Sequence, residues 1–357
     1  MAKEKYIGIM SGTSLDGVDV VLCEIGQDDC LLLASLEYPM PSVLKADILA
    51  MIAGESSLQA VGEIDHRLGG LFAEAVDALL EAEGIEASTI RAIGLHGQTL
   101  WHAPMGKYPF SMQLGDANLL TCKTGIPVAA DFRRKDVALG GQGAPFAPAF
   151  HDFLFSAMQG SVSVVNIGGM ANITVIGEKL IGYDTGCGNV LLDMYISQHK
   201  GRAYDADGRW AKSGKVEYTL LDAMMSDDYF AMGYPKSTGR EKFNGVWLEG
   251  YLSGCDTKPE DVQRTLVELT ALSISNEVLR FDTDMVLLCG GGAKNAFLVE
   301  RMKALMPNVE VLIAQNADEI EGMTFAWLAY KRLHEEVVNL KDVTGARENG
   351  VLGCIYL

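Results

Sequence analysis

No run of about 18 consecutive apolar residues, the length a bilayer-spanning helix needs, occurs in this 357-residue chain. Lys and Arg are scarce: 29 against 47 Asp and Glu, a formal charge of −18. This charge argues against nucleic acid and anionic membranes as partners, because neutralising phosphate needs clustered cations. The seven cysteines, at 23, 30, 122, 187, 255, 289 and 354, include no Cys-x-x-Cys pair. An odd, scattered set reads as reduced thiols and argues against a disulfide framework or a structural zinc. Met1-Ala2-Lys3-Glu4-Lys5-Tyr6 enters a strand without the apolar core of a signal peptide, so a cytoplasmic location is expected. Several catalytic signatures are missing too: Gly-x4-Gly-Lys-Ser/Thr, His-Glu-x-x-His, Gly-x-Ser-x-Gly, and Gly-x-Gly-x-x-Gly opening a helix. Gly290-Gly291-Gly292 approaches the last, but Asn295 stands where its third glycine would be.

What is present is ample apolar content, 48%, over a length that suggests two domains. The most informative stretch runs Tyr6-Ile-Gly-Ile-Met-Ser-Gly-Thr-Ser-Leu-Asp-Gly-Val-Asp19, followed by Val20-Val21-Leu22. Two apolar runs split by a Gly/Ser/Thr/Asp cluster read as strands joined by a tight turn. The turn, Gly12-Thr13-Ser14-Leu15-Asp16-Gly17-Val18-Asp19, offers unshielded backbone N–H groups, hydroxyls and carboxylates, the parts that wrap a polyphosphate and its magnesium. A plain hairpin turn explains the same residues equally well.

The device recurs. Residues 162–175 read as strand, Asn166-Ile167-Gly168-Gly169 turn, strand, and Gly290-Gly291-Gly292 follows the buried-strand run 285–288. In the first half, 92–95 run likewise into His96-Gly97-Gln98. Each half thus reads as a glycine-turned hairpin, a helix, and a strand ending in polar and glycine residues, the pattern of a duplication. The first half is expected to hold strands at 5–10, 18–25, 30–38, 90–95 and 127–131, with helices at 61–79 and 115–124. The second half is expected to hold the hairpin 161–176, strands 179–183, 284–289 and 309–314, and helices 188–198, 260–280, 293–305 and 320–335. Residues 200–245 read only as a mixed polar stretch with substrate-side or lid elements. The first domain is expected over 1–134 and the second over 135–340, with the tail 340–357 available to pack back on the first. Between them lies a basic run, Arg133-Arg134-Lys135, which in so acidic a chain faces either solvent or an anion.

Two halves with one phosphate hairpin each resemble the layout of the actin, sugar-kinase and Hsp70-type ATPase superfamily. Within it, eight motifs in order resemble the anhydro-N-acetylmuramic acid kinase family over nearly the whole chain. They are Met10-Ser-Gly-Thr-Ser-Leu-Asp-Gly-Val-Asp19, Gly94-Leu-His-Gly-Gln-Thr99, Gln113-Leu-Gly-Asp116, Ala130-Asp-Phe-Arg-Arg134, Gly140-Gly-Gln-Gly-Ala-Pro145, Asn166-Ile-Gly-Gly169, Asp184-Thr-Gly186 and Phe325-Ala-Trp-Leu-Ala329. Cys187 departs from the proline that the family usually carries there.

The resemblance implies a duplicated, ribonuclease H-like α/β fold with ATP-Mg²⁺ in an interdomain cleft. It implies that Gly12–Asp19 is the phosphate loop, with Asp16 or Asp19 holding Mg²⁺ directly or through water. Asn166, Gly168 and Gly169 would be a second phosphate clamp, and Gly290, Gly291, Gly292 and Asn295 the adenosine contact. Asp184, at the end of the expected strand 179–183, reads on position alone as a helix cap or as a ligand-facing acid. The resemblance makes it the general base. His96 and Gln98 resemble the family's substrate-side loop, though a His after a strand is more often a packed residue. Arg133 would pair with the lactyl carboxylate of a muramic sugar. Glu321 is a second acid toward the sugar, or simply a first-turn helix acid.

The implied reaction is hydrolytic opening of 1,6-anhydro-N-acetylmuramic acid with phosphorylation of O6, giving N-acetylmuramic acid 6-phosphate and ADP in peptidoglycan recycling. The partner is then a small amino sugar, and a homodimer stays open. The rivals are a kinase of the same superfamily acting on another sugar and a nucleotide-dependent sugar sensor or chaperone-like ATPase.

Overall fold

The structure, a computed structural model, describes residues 3–12, 15, 17–54 and 56–357. Three expected loop residues, Thr13, Ser14 and Asp16, lie outside the described residues. In chain order the strands are β1 Glu4–Ser11, β2 Gly17–Ile25, β3 Cys30–Pro39, β4 Ile90–Ala103, β5 Phe110–Leu114 and β6 Val128–Ala130. They continue with β7 Val162–Ile167, β8 Met170–Ile176, β9 Ile181–Cys187, β10 Met285–Cys289, β11 Glu310–Ile313 and β12 Cys354–Tyr356.

The duplication expected from the glycine turns is present as topology. One sheet runs β3-β2-β1-β4-β6 with β12 added at its edge and β5 paired to β4, and the other runs β9-β8-β7-β10-β11. In both, the first three strands form an antiparallel meander and the fourth and fifth join parallel to the first. This is the α/β, ribonuclease H-like arrangement the sequence led us to expect, built twice. The first strands carry the apolar runs: Ile7 and Ile9 of β1 and Val164 and Val165 of β7 are fully buried. Strands covered on both faces need such runs rather than alternation.

The chain forms two compact units, 1–154 with 319–357, and 155–318. The limits differ from those expected at 134 and 340 in two ways. Residues 135–154, including the helix Ala147–Phe155 except its last residue, cluster with the first unit, and so does the helix Ile320–Leu333, which we had assigned to the second half. In the first unit the helix Leu58–Glu83 is started by Ser57, whose hydroxyl accepts from Ala60 N, and stopped by Gly84 at φ +63°. Its Leu68, Phe72 and Val76 are buried in the core that β1, β2 and β4 also enter. In the second unit the helix Pro259–Val278 opens on a proline and buries Leu266, Leu269, Ile274 and Val278. The polar stretch 200–245 is more helical than expected, with helices Arg209–Ser213, Tyr218–Met225 and Asp228–Ala231. Among the described residues no helix is long and apolar enough to cross a membrane.

The reassignment of Ile320–Leu333 has a steric cause. A Cβ placed on Gly8 of β1 would lie 2.0 Å from Gly322 O, and one on Gly94 of β4 would lie 1.9 Å from Phe325 O. Only glycine lets helix backbone and sheet backbone meet at this distance. We therefore expect Gly94→Ala to lower the stability of the protein by at least about 1–3 kcal/mol, the usual cost of overpacking. Gly62→Ala, exposed in the helix Leu58–Glu83 with open space around it, should instead raise stability by about 1 kcal/mol. Denaturant unfolding of the two variants checks the pair of signs.

Candidate active site

In the first unit, β1 ends at Ser11 and the loop turns back with Leu15 N donating to Gly12 O at 3.3 Å. Leu15 takes φ +55°, a costly conformation for a side chain with a Cβ, and its side chain is fully buried in the core. Gly17, Val18 and Asp19 open β2, with Val18 buried and Asp19 exposed opposite Met10. The Ser11 hydroxyl donates to Gln98 Oε1 at 2.7 Å, both groups being buried. The structure thus brings the foot of the loop to Gln98.

His96 and Arg133 are brought together as well. Arg133 Nη2 donates to His96 Nε2 at 2.8 Å, which requires the imidazole to be neutral with its proton on Nδ1. Burial first, and the adjacent guanidinium second, hold the His96 pKa well below its usual value. Burial also pushes Arg133 down to about 10, still protonated at neutral pH. Phe325 packs on the His96 ring with centroids 4.7 Å apart, and the Arg133 guanidinium sits 5.9 Å from the Phe146 ring centre. Two polar atoms of the pair, His96 Nδ1 and Arg133 Nε, are buried without a partner. A cavity of about 410 Å³ beside them is lined by His96, Gly97, Gln113, Asp116, Asp131 and Arg134. Glu321 is exposed in the first turn of Ile320–Leu333 and is not among that lining.

In the second unit the β7–β8 turn is tied to the helix Val190–Lys200. Gly188 N donates to Gly169 O at 2.9 Å and Asn189 N to Gly168 O at 2.8 Å, while Asn189 Nδ2 reaches Ile167 O at 3.1 Å. Gly290, at φ +75°, packs where a Cβ would lie 2.2 Å from Asn166 Oδ1, and a Cβ on Gly292 would lie 2.3 Å from Ile167 Cγ2. The glycine cluster therefore packs directly against the hairpin. Asn295 Oδ1 accepts from Leu298 N at 3.1 Å, capping the helix Ala296–Leu305. A cavity of about 330 Å³ adjoins this cluster, lined by Asn189, Asp193, Tyr204, Gly291, Lys294 and Asn295 among others.

Asp184 lies in the middle of β9, opposite Asn172, not at a strand end as expected. The helix that follows starts at Val190 with Asn189 in the capping position, so the capping explanation for Asp184 fails. Asp184 Oδ2 accepts from Ser237 Oγ and from Thr238 N, each at 3.0 Å. Burial raises its pKa above the usual 3.8; the two donors oppose that rise and the Glu241 charge adds to it. A carboxylate so placed is a poised proton acceptor.

Ser237, Thr238, Lys236 and Arg240 were not singled out from sequence. Arg240 Nη2 comes within 4.0 Å of a Cβ position on Gly169, and its charge opposes a burial-driven rise of Asp193 to about 6. The run Lys236-Ser-Thr-Gly-Arg240 offers hydroxyls, a glycine and two cations, and is the signal within 200–245 that could have found them.

A family model described as anhydro-N-acetylmuramic acid kinase matches residues 4–357. The chain belongs to the anhydro-N-acetylmuramic acid kinase family. Among curated proteins of that name, the one from Sulfurovum sp. (strain NBC37-1) is 65% identical, with 100% of both chains covered. Those from Sulfurimonas denitrificans and Aliivibrio fischeri are 50% and 51% identical, with 99% of each chain covered. The chain is thus an enzyme, a kinase of a small sugar, and its class supports ATP as phosphoryl donor.

The His96–Arg133 geometry gives a direct prediction. Nitrogen NMR should show the His96 imidazole neutral, protonated on Nδ1 and not titrating near pH 6.5; His151, which burial lowers to about 3, should also stay neutral, but Arg133→Leu should alter the shifts of His96 alone. A His96 titration midpoint at the ordinary value would contradict the geometry.

Proposed function

We propose that this kinase opens 1,6-anhydro-N-acetylmuramic acid with water and phosphorylates the freed O6, giving N-acetylmuramic acid 6-phosphate and ADP. Asp184 takes a proton from water, and that water's oxygen bonds to the anomeric carbon. The C1–O6 bond breaks, its electron pair goes to O6, and O6 accepts the γ-phosphoryl group as ADP leaves. O6 gains negative charge as its bond to C1 lengthens, so ring opening makes the nucleophile for phosphoryl transfer. The observation that carries this reading is the Asp184 carboxylate: half-buried, raised in pKa, and held through Oδ2 by two donors.

The turn Gly290–Gly292 supports nucleotide binding: Gly290 and Gly292 are packed against Asn166 and Ile167, while Gly291 has open space around it and an unshielded backbone N–H. We assign the neighbouring 330 Å³ cavity to the adenosine, with Gly291 and Asn295 in its lining. In the first unit, Gly12–Asp19 takes the β- and γ-phosphates. Mg²⁺, when bound, would neutralise charge on those phosphates, and Asp19 or Asp16 is the protein group for it. Arg133 supports recognition of a lactyl carboxylate: its buried guanidinium has a polar atom, Nε, without a partner. His96 Nδ1–H is a further buried donor toward the sugar. Glu321, exposed and with a first-turn role sufficient to explain it, is the weakest of these assignments. The same reading places the reaction in the cytoplasm, in recycling of cell-wall sugar.

Asp184→Asn should bind nucleotide and sugar near normally while turnover falls by about 10²–10⁴-fold, the usual contribution of a positioned base. In the wild type, kcat should fall as pH drops through the raised Asp184 pKa, because protonation removes the base. ADP release measured on 1,6-anhydro-N-acetylmuramic acid, N-acetylmuramic acid, glucosamine and glucose should be fastest on the first. Near-normal turnover by Asp184→Asn, or a preference for glucose, overturns the reading.

A further inference from the structure

We infer that the buried Lys236–Glu277 ion pair is the positioning device of the Asp184 carboxylate, fixing the 235–239 loop so that its two donors hold one carboxylate oxygen. This rests on Asp184 being the base. Lys236 Nζ lies 2.6 Å from Glu277 Oε1, with side-chain exposures of 0% and 3%. Glu277 also accepts from Tyr183 OH at 2.8 Å and pairs with Arg280 Nε at 2.9 Å. Tyr183 immediately precedes Asp184, and Lys236 immediately precedes Ser237. One carboxylate on the helix Pro259–Val278 therefore clips together the neighbours of the base and of its hydrogen-bond donor.

The backbone completes the clip. Asp184 N donates to Lys236 O at 3.2 Å, and Tyr229 OH donates to Asp184 O at 2.7 Å. With β9 and the loop so fixed, Ser237 Oγ and Thr238 N both fall on Oδ2 and neither on Oδ1. An ion pair taken out of water is a poor source of stability, since apolar residues of similar size fill the same space as well or better. What it supplies that they cannot is direction, through charge-assisted bonds at set angles. The other charged and titratable groups facing this carboxylate are Glu241, which raises its pKa, and Tyr229, whose own pKa burial and then the Asp184 and Glu277 charges raise. Both residues are kept in the variants below, and Tyr229 stays protonated throughout.

The test is Lys236→Met with Glu277→Gln in one protein, which removes the charges and roughly keeps the volume. With the loop released, Asp184 loses donors that favour its ionised form. The acidic limb of kcat should then move to higher pH by about half a unit or more. Turnover should fall at least about tenfold at neutral pH while KM for ATP stays within about threefold. Ser237→Ala, which leaves the ion pair intact, should move the limb in the same direction by less, and Tyr183→Phe, which cuts the tie from Glu277 to the neighbour of Asp184, should do likewise and carries the test if the double variant does not fold. A folded double variant with the wild-type limb and rate overturns the inference, as does an unshifted limb in Ser237→Ala. Asp184→Asn, run alongside, separates the two failures. If it collapses turnover while the double variant does not, the positioning inference alone is wrong; if it retains turnover, the assignment of the base is wrong.

Discussion

The helix Ile320–Leu333 can reach β1 and β4 only because Gly8 and Gly94 carry no side chain. Its carbonyls at Gly322 and Phe325 occupy the space a Cβ would need, 2.0 and 1.9 Å away. That contact recruits a late helix into the first unit and decides where its aromatic residues lie. Phe325 is thereby laid against His96, two residues beyond Gly94 on β4, with ring centroids 4.7 Å apart. The dry surface so created keeps His96 neutral and lowers the pKa of Arg133, which leaves a protonated guanidinium beside a neutral imidazole. A missing methyl group in a strand thus sets the electrostatics of the His96–Arg133 pair.

The second unit uses glycine in the same way toward a different end. Gly290 and Gly292 let the turn after β10 lie directly on Asn166 and Ile167, so two segments far apart in sequence pack as one. Asp184, by contrast, is held by a polar network rather than by packing. In a chain of net charge −18, an isolated buried acid would be repelled by its surroundings as well as desolvated. Ser237 and Thr238 answer the desolvation of Asp184 with two hydrogen bonds, and Glu277 holds those donors in place through Lys236.

Much of this was legible in the residues. The glycine turns at 12–17 and 166–169 showed the duplication, because a hairpin that must expose its backbone leaves a local signature. The apolar runs 7–9 and 162–165 marked central strands for a similar reason. The limits of the units were not legible, since nothing local in Ile320–Leu333 says which sheet its backbone will touch. That information sits in Gly8 and Gly94, more than two hundred residues earlier, and has meaning only in pairs. The place of Asp184 within β9 was missed because the glycine after it suggested a turn where the strand in fact continues to Cys187. Asn295 was read as a nucleotide contact, and its side chain is engaged as a helix cap while it also lines the cavity. Ser237 and Thr238 escaped notice because a hydroxyl's value to a carboxylate depends on a loop closing over it, which composition does not encode.

The central claim is that water opens the anhydro ring and the freed sugar oxygen, not water, receives the phosphoryl group. It is tested most directly by running the reaction in ¹⁸O-labelled water and locating the label by mass spectrometry of the product. The account predicts one label on the anomeric oxygen and none in the phosphate, before exchange at the anomeric centre. Label in the phosphate, or an unlabelled anomeric oxygen at early times, would contradict it.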